Sequence, residues 1–172
     1  MYGFINAIVR TLGLLWTLLI TALIGNVIAS NNNGQMATIN FTMFVAALSW
    51  VANLYGVAAA IISSLSMVIV LLVLDGLATL FTFINAIVLA AKLGAPNCGN
   101  LRNASLSSSW IGWGSSDNEK RCREIQASTA FMWFLWACFC VSLFFTVREA
   151  RGGGGLRGSV RSGRPNMSQV GV

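Results

Sequence analysis

Histidine is absent from this sequence and Asp plus Glu number only five, so acid–base and metal chemistry have few residues to use. Two charges stand out by their isolation. Arg10 and Asp75 bracket residues 11–74, which contain no charged side chain. An ionised Asp at the centre of an apolar stretch costs roughly 2.5–3.5 kcal/mol to insert into a membrane, so something must offset Asp75. One chemistry that does so is an ion pair with Arg10, a guanidinium meeting a carboxylate through two hydrogen bonds. Another is a proton- or solute-coupled pathway that uses the carboxylate. Two further groups have chemical potential: Cys98 with Cys122, and the arginines of the C-terminal tail.

Apolar helices carry these residues. Of the 172 residues, 56% are hydrophobic and 9% charged, and the mean hydropathy is +0.72. A soluble domain carries about 25% charged residues, so composition alone assigns an integral membrane protein. Roughly 20 residues at about 1.5 Å each cross a ~30 Å hydrocarbon core. Four segments qualify, at about residues 5–29, 36–62, 65–93 and 125–147, giving an all-α, four-helix transmembrane bundle. A rival reading of the first is a cleavable signal peptide, with Arg10 ahead of the apolar run and Val27-Ile28-Ala29 before a cut.

At 100° per residue, small and polar side chains form a stripe on each of the first three segments. Asn6, Arg10, Gly13, Thr17 and Thr21 share one arc of about 80°. Asn53, Gly56 and Ala60 belong to the second stripe, and Asp75, Thr79, Thr82 and Ala86 form the third. Such stripes pack helices against each other, because lipid offers neither hydrogen bonds nor close backbone approach. The fourth segment is aromatic instead, and its Cys138 and Cys140 read as small packing residues. With helices one and three entering from the same side, Arg10 and Asp75 lie within about 7 Å in depth, a gap a long side chain can bridge. The bland alternative leaves Arg10 snorkelling to the headgroups and Asp75 neutral or bonded to Thr79.

The long loop, residues 94–124, has Cys98 and Cys122 near its ends, open to a stapling disulfide or to two free thiols. Its Trp110 and Trp113 can dip into the interface, and Asn103-Ala104-Ser105 is a sequon. Lys and Arg are split six on the terminal side and five opposite, nearly a tie; the cysteine pair tips the reading towards cytosolic termini. The tail, residues 148–172, is rich in glycine and should be disordered. Its Arg148, Arg151, Arg157, Arg161 and Arg164 suit anionic lipid at about 1 kcal/mol per residue, a better match beside a membrane than nucleic acid. Ser159 and Ser162 are candidate phosphorylation sites that would weaken that contact.

Arg10, Leu54-Tyr55-Gly56-Val57, Leu74-Asp75 and Leu80-Phe81-Thr82-Phe83, in that order, resemble the MARVEL domain and, more closely, the fungal non-classical export protein 2 family. The likeness continues through Cys98, Arg121-Cys122-Arg123, Gln126-Ala127, Ala130-Phe131 and the closing Gln169-Val170-Gly171-Val172. The Gly/Arg tail departs from the family's pattern. The resemblance implies a non-enzymatic plasma-membrane protein of furrow-like microdomains (eisosomes), responsive to sphingolipid state and affecting protein localisation and non-classical export. It implies no cofactor, and its partners would be lipid, other membrane or eisosome proteins, or a second copy of the chain. The competing class is a small transporter using Asp75. No proline falls within the spans and no inverted repeat is visible, which favours the organiser.

Overall fold

In a computed structural model the chain is described over residues 2–32, 34, 36–62, 67–94, 96–101 and 106–152. Four helices account for most of these residues, with no strand among them: α1 (Tyr2–Ala29), α2 (Ala37–Ile61), α3 (Val68–Leu93) and α4 (Asn118–Gly152). All four are long and apolar enough to cross a membrane. The short links from α1 to α2 and from α2 to α3 make sequential helices antiparallel neighbours, and α4 closes the ring against both α1 and α3. The surface carries the membrane signature. Phe44, Val51, Leu54, Ile69, Val73, Leu80 and Phe144 are exposed, while Thr17, Thr42, Ser49, Asn53, Asp75 and Thr82 are buried.

Local chemistry explains the helix ends. α3 stops at Gly94, whose N–H still bonds the Ala90 carbonyl at 3.0 Å and whose left-handed φ of 69° then turns the chain out of the helix, with Lys92 on the final turn. Pro96 follows and prevents continuation. α4 starts two turns earlier than its apolar run suggests, at Asn118 rather than residue 125. Asp117 caps it, accepting from the Lys120 N–H at 2.9 Å, and Glu119 sits in the positive first turn. The helix also continues to Gly152, so Arg148 and Arg151 are helical rather than part of an unstructured tail. Arg157, Arg161, Arg164, Ser159, Ser162 and the Asn103 sequon lie outside the described residues.

Within the bundle, hydroxyls satisfy themselves on their own backbone. Thr17, Thr21, Ser49, Thr79, Thr82 and Ser128 each donate to the carbonyl four residues back. This leaves their oxygens free to accept across helices. Asn53 Nδ2 donates to Thr17 at 3.5 Å and Trp50 Nε1 to Thr21 at 3.1 Å, tying α1 to α2. Thr42 donates to Asn85 Oδ1 at 3.1 Å, tying α2 to α3. Trp16 of α1 stacks between Phe131 and Phe134 of α4.

Candidate functional site

Arg10 sits eight residues past the start of α1 and Asp75 seven past the start of α3, roughly 12 and 10 Å along their helices. α1 begins earlier and α3 later than the hydrophobic runs indicate, and both shifts narrow the difference in depth. The guanidinium lies fork to fork with the carboxylate: Nη2 donates to Oδ2 at 2.7 Å and Nη1 to Oδ1 at 3.1 Å. Both side chains are buried, at 1% and 0% exposure. In so dry a setting neither charge is tolerable alone, and each removes most of the other's cost.

The remaining helices complete the arrangement. From α4, Thr146 Oγ1 lies 2.9 Å from Asp75 Oδ2 and 3.0 Å from the Ser142 carbonyl, with one proton to serve both. From α2, the Ala52 carbonyl approaches Nη1 at 3.5 Å, and Gly56 makes room. A Cβ on Gly56 would overlap the Arg10 guanidinium, so glycine here is a space requirement. Gly13 meets the same need nearly a turn further along α1, where a Cβ would come within 2.7 Å of Asn53 Oδ1. One polar centre is thus shared by all four helices.

Asn53, Gly56 and Thr82 lie on buried faces alongside this centre. Thr79 is half-buried and serves its own helix through the Asp75 carbonyl. Ala60 is a correction. It is exposed, and Ala59 occupies the interior instead, because the packed face of α2 advances from Gly56 by three residues rather than four. Thr146 and Asn85 carry contacts that periodicity did not single out. The signal for Thr146 was the Ser142–Thr146 pair, two polar residues at four-residue spacing within an aromatic helix. Asn85 falls about 60° beyond the edge of the arc drawn through Asp75 and Thr82.

The opposite end of the bundle holds a second buried arginine. Arg121, 2% exposed, donates through Nε to the Ile111 carbonyl at 3.2 Å and through Nη1 to the Val27 carbonyl at 3.0 Å. Its Nη2 approaches Met36 Sδ at 3.6 Å. Cys98 and Cys122 are joined beside it, with Cα atoms 5.6 Å apart. Trp110 does not dip into the interface: it is buried, and its Nε1 donates to the Leu93 carbonyl at 2.8 Å. Gly112 lies so close to the Trp110 ring that a Cβ would overlap it. The loop is therefore a fitted cap. Among the described residues no cluster of His, Cys, Asp or Glu could hold a metal ion.

Comparison with known proteins gives a consistent setting for this geometry. The family model for the membrane-associating domain MARVEL matches residues 3–145. Non-classical export protein 2 of Saccharomyces cerevisiae is 31% identical, the match covering 100% of this chain and 96% of that protein. Non-classical export protein 2 homolog 1 of the same yeast is 30% identical, covering 95% and 96%. Non-classical export protein 102 of Candida albicans is 33% identical over 96% of this chain and 97% of its own. No solved structure matches the chain.

Proposed function

The chain belongs to the MARVEL family of membrane-associating domains, and from that membership we propose that this multi-pass membrane protein is a non-enzymatic organiser of plasma-membrane microdomains. In this role it acts in protein localisation and non-classical export, the process in its relatives' names. The domains would be eisosome-like furrows whose occupancy follows sphingolipid state. Both termini face the cytosol, which places the cysteine-bridged cap on the oxidising side. The basic residues that follow α4 then meet the anionic inner leaflet.

The observation that carries this reading is the charge pair itself. Both Asp75 oxygens are engaged, one by Arg10 alone and the other by Arg10 and Thr146. That arrangement suits a fixed body that presents its outer faces to lipid and neighbours, rather than a carboxylate that loads and unloads a proton. A fluorescently tagged copy should mark static patches that disperse when sphingolipid synthesis is blocked. A uniform, unresponsive distribution counts against the proposal. In proteoliposomes the protein should support no saturable solute or proton flux; such a flux, abolished by Asp75→Asn, would establish the transporter instead.

A further inference from the structure

At the cap end, a cavity of about 290 Å³ opens between the last turn of α1 and the first turn of α2. Val27, Ile28, Met36, Ile39 and Asn40 line it, and Arg121 of α4 forms part of its wall. Among the described residues no acid lines this cavity, so Arg121 sets the sign of its charge. The two carbonyls that hold Arg121 supply partial charges and leave the guanidinium a full cation in a dry setting. Glu124, one turn along α4, attracts it through space but stands outside the cavity wall.

The start of α2 adds to this positive potential. It has no side-chain cap and no acidic residue in its first turn, and that turn lines the cavity through Ile39 and Asn40. The guanidinium's third contact is its weakest: among the described residues Nη2 meets only the Met36 thioether, a poor acceptor, at 3.6 Å. Met36 is half-buried and lines the same cavity, and its unbranched side chain can swing aside for a better acceptor. We propose that this cavity binds the phosphate of an anionic membrane lipid, an oxyanion that takes the place of the Met36 sulfur on Arg121 Nη2. The exchange replaces a thioether contact with a charge-assisted hydrogen bond and gives a buried cation its counterion. Ile28, 40% exposed on the same wall at the end of a membrane-spanning helix, offers the acyl chains an apolar path.

The test uses the full-length protein in vesicles of equimolar phosphatidylglycerol and phosphatidylcholine, followed by gentle extraction, a high-salt wash and native mass spectrometry. The wash strips lipid held by exposed charge alone, including any on the arginines that follow α4. Phosphatidylglycerol should remain at about tenfold over phosphatidylcholine, whose choline brings a second cation towards Arg121. Asn40→Asp puts a negative charge on the wall at an exposed position where the α2 dipole favours it. It should reduce retention to that of phosphatidylcholine and leave the detergent unfolding midpoint no lower than before. Met36→Ala clears the sulfur from Nη2 and should strengthen retention, whereas Arg121→Met should abolish the preference. Excess inorganic phosphate should leave the lipid in place. Equal retention of the two lipids, a preference that survives Asn40→Asp, weaker retention in Met36→Ala, or displacement by inorganic phosphate would each refute the assignment. None of these readouts depends on patch formation, so this site and the organising role fail separately.

Discussion

The two ends of the bundle each bury an arginine, and they solve the same problem differently. At the terminal end Arg10 meets a full opposite charge, Asp75, across the centre of the ring. At the cap end Arg121 is held by the partial charges of neutral acceptors, the Val27 and Ile111 carbonyls. Val27 lies in the last turn of α1, where carbonyls lack helical partners and the helix dipole is negative. Glu124 attracts Arg121 only through space, since its own contacts go to Asn26, from which it accepts at 2.6 Å, and to Lys120 at 3.9 Å. Each solution is confined to the place that supplies its acceptors. Deep between helices the carbonyls already serve their own helix and add only a long contact, that of Ala52 at 3.5 Å, so a carboxylate holds the guanidinium; at a helix end the unused carbonyls suffice.

The largest effects are expected at the charge pair. Arg10→Gln or Asp75→Asn alone should cost about 3–5 kcal/mol, since each leaves a buried charge without its counterion. The double variant should be clearly less damaged than the sum of the two singles. Detergent unfolding and surface expression measure the cycle, and simple additivity would mean that the pair contributes no coupling.

At the cap the covalent link comes first. Replacing Cys98 and Cys122 together with serine should cost about 3.5 kcal/mol, the loop-closure value for a segment of this length. In intact cells neither thiol should alkylate until a reductant is added, as peptide mass spectrometry would reveal; two thiols alkylated without reduction would reject the bridge. Arg121→Met tests the carbonyl solution directly. It should cost about 2 kcal/mol, less than either single change at the pair, because it removes the charge together with its donors and orphans only neutral carbonyls. A loss as large as that of Asp75→Asn would show that the two ends are not distinguished by charge compensation.

The smallest change probes the ion pair from within. Thr146→Val removes one hydrogen bond to Asp75 while leaving the guanidinium in place, and should cost about 1–2 kcal/mol in detergent stability. An effect equal to that of Arg10→Gln would make Thr146 an indispensable partner rather than an auxiliary one.

Much of this was legible without coordinates, for specific reasons. A stripe of small and polar residues on an otherwise apolar helix has one physical use in lipid, so Asn53, Gly56, Asp75 and Thr82 could be assigned inward-facing positions. The stripe's edges were less secure. Ala60 and Ala59 are both small, and sequence cannot say which the neighbouring helix covers. The start of α4 was missed for a different reason. Its first two turns, from Asn118 to Glu124, are polar and charged, so an apolar criterion passes over them although Asp117 is a recognisable cap.

The inventory was written in the chain: four apolar helices, short connections that force the first three antiparallel, and two lone charges separated by an uncharged run. Those properties follow from transfer energies and chain geometry, which act residue by residue. It took the packed bundle to establish that α4 closes the ring, that its Thr146 joins Asp75, and that Arg121, one of several basic residues beside the loop, turns inward. Each depends on which carbonyl or carboxylate another helix places within about 3 Å, the range over which a hydrogen bond forms. Distance between helices is a property of the packed ring, and no single segment encodes it.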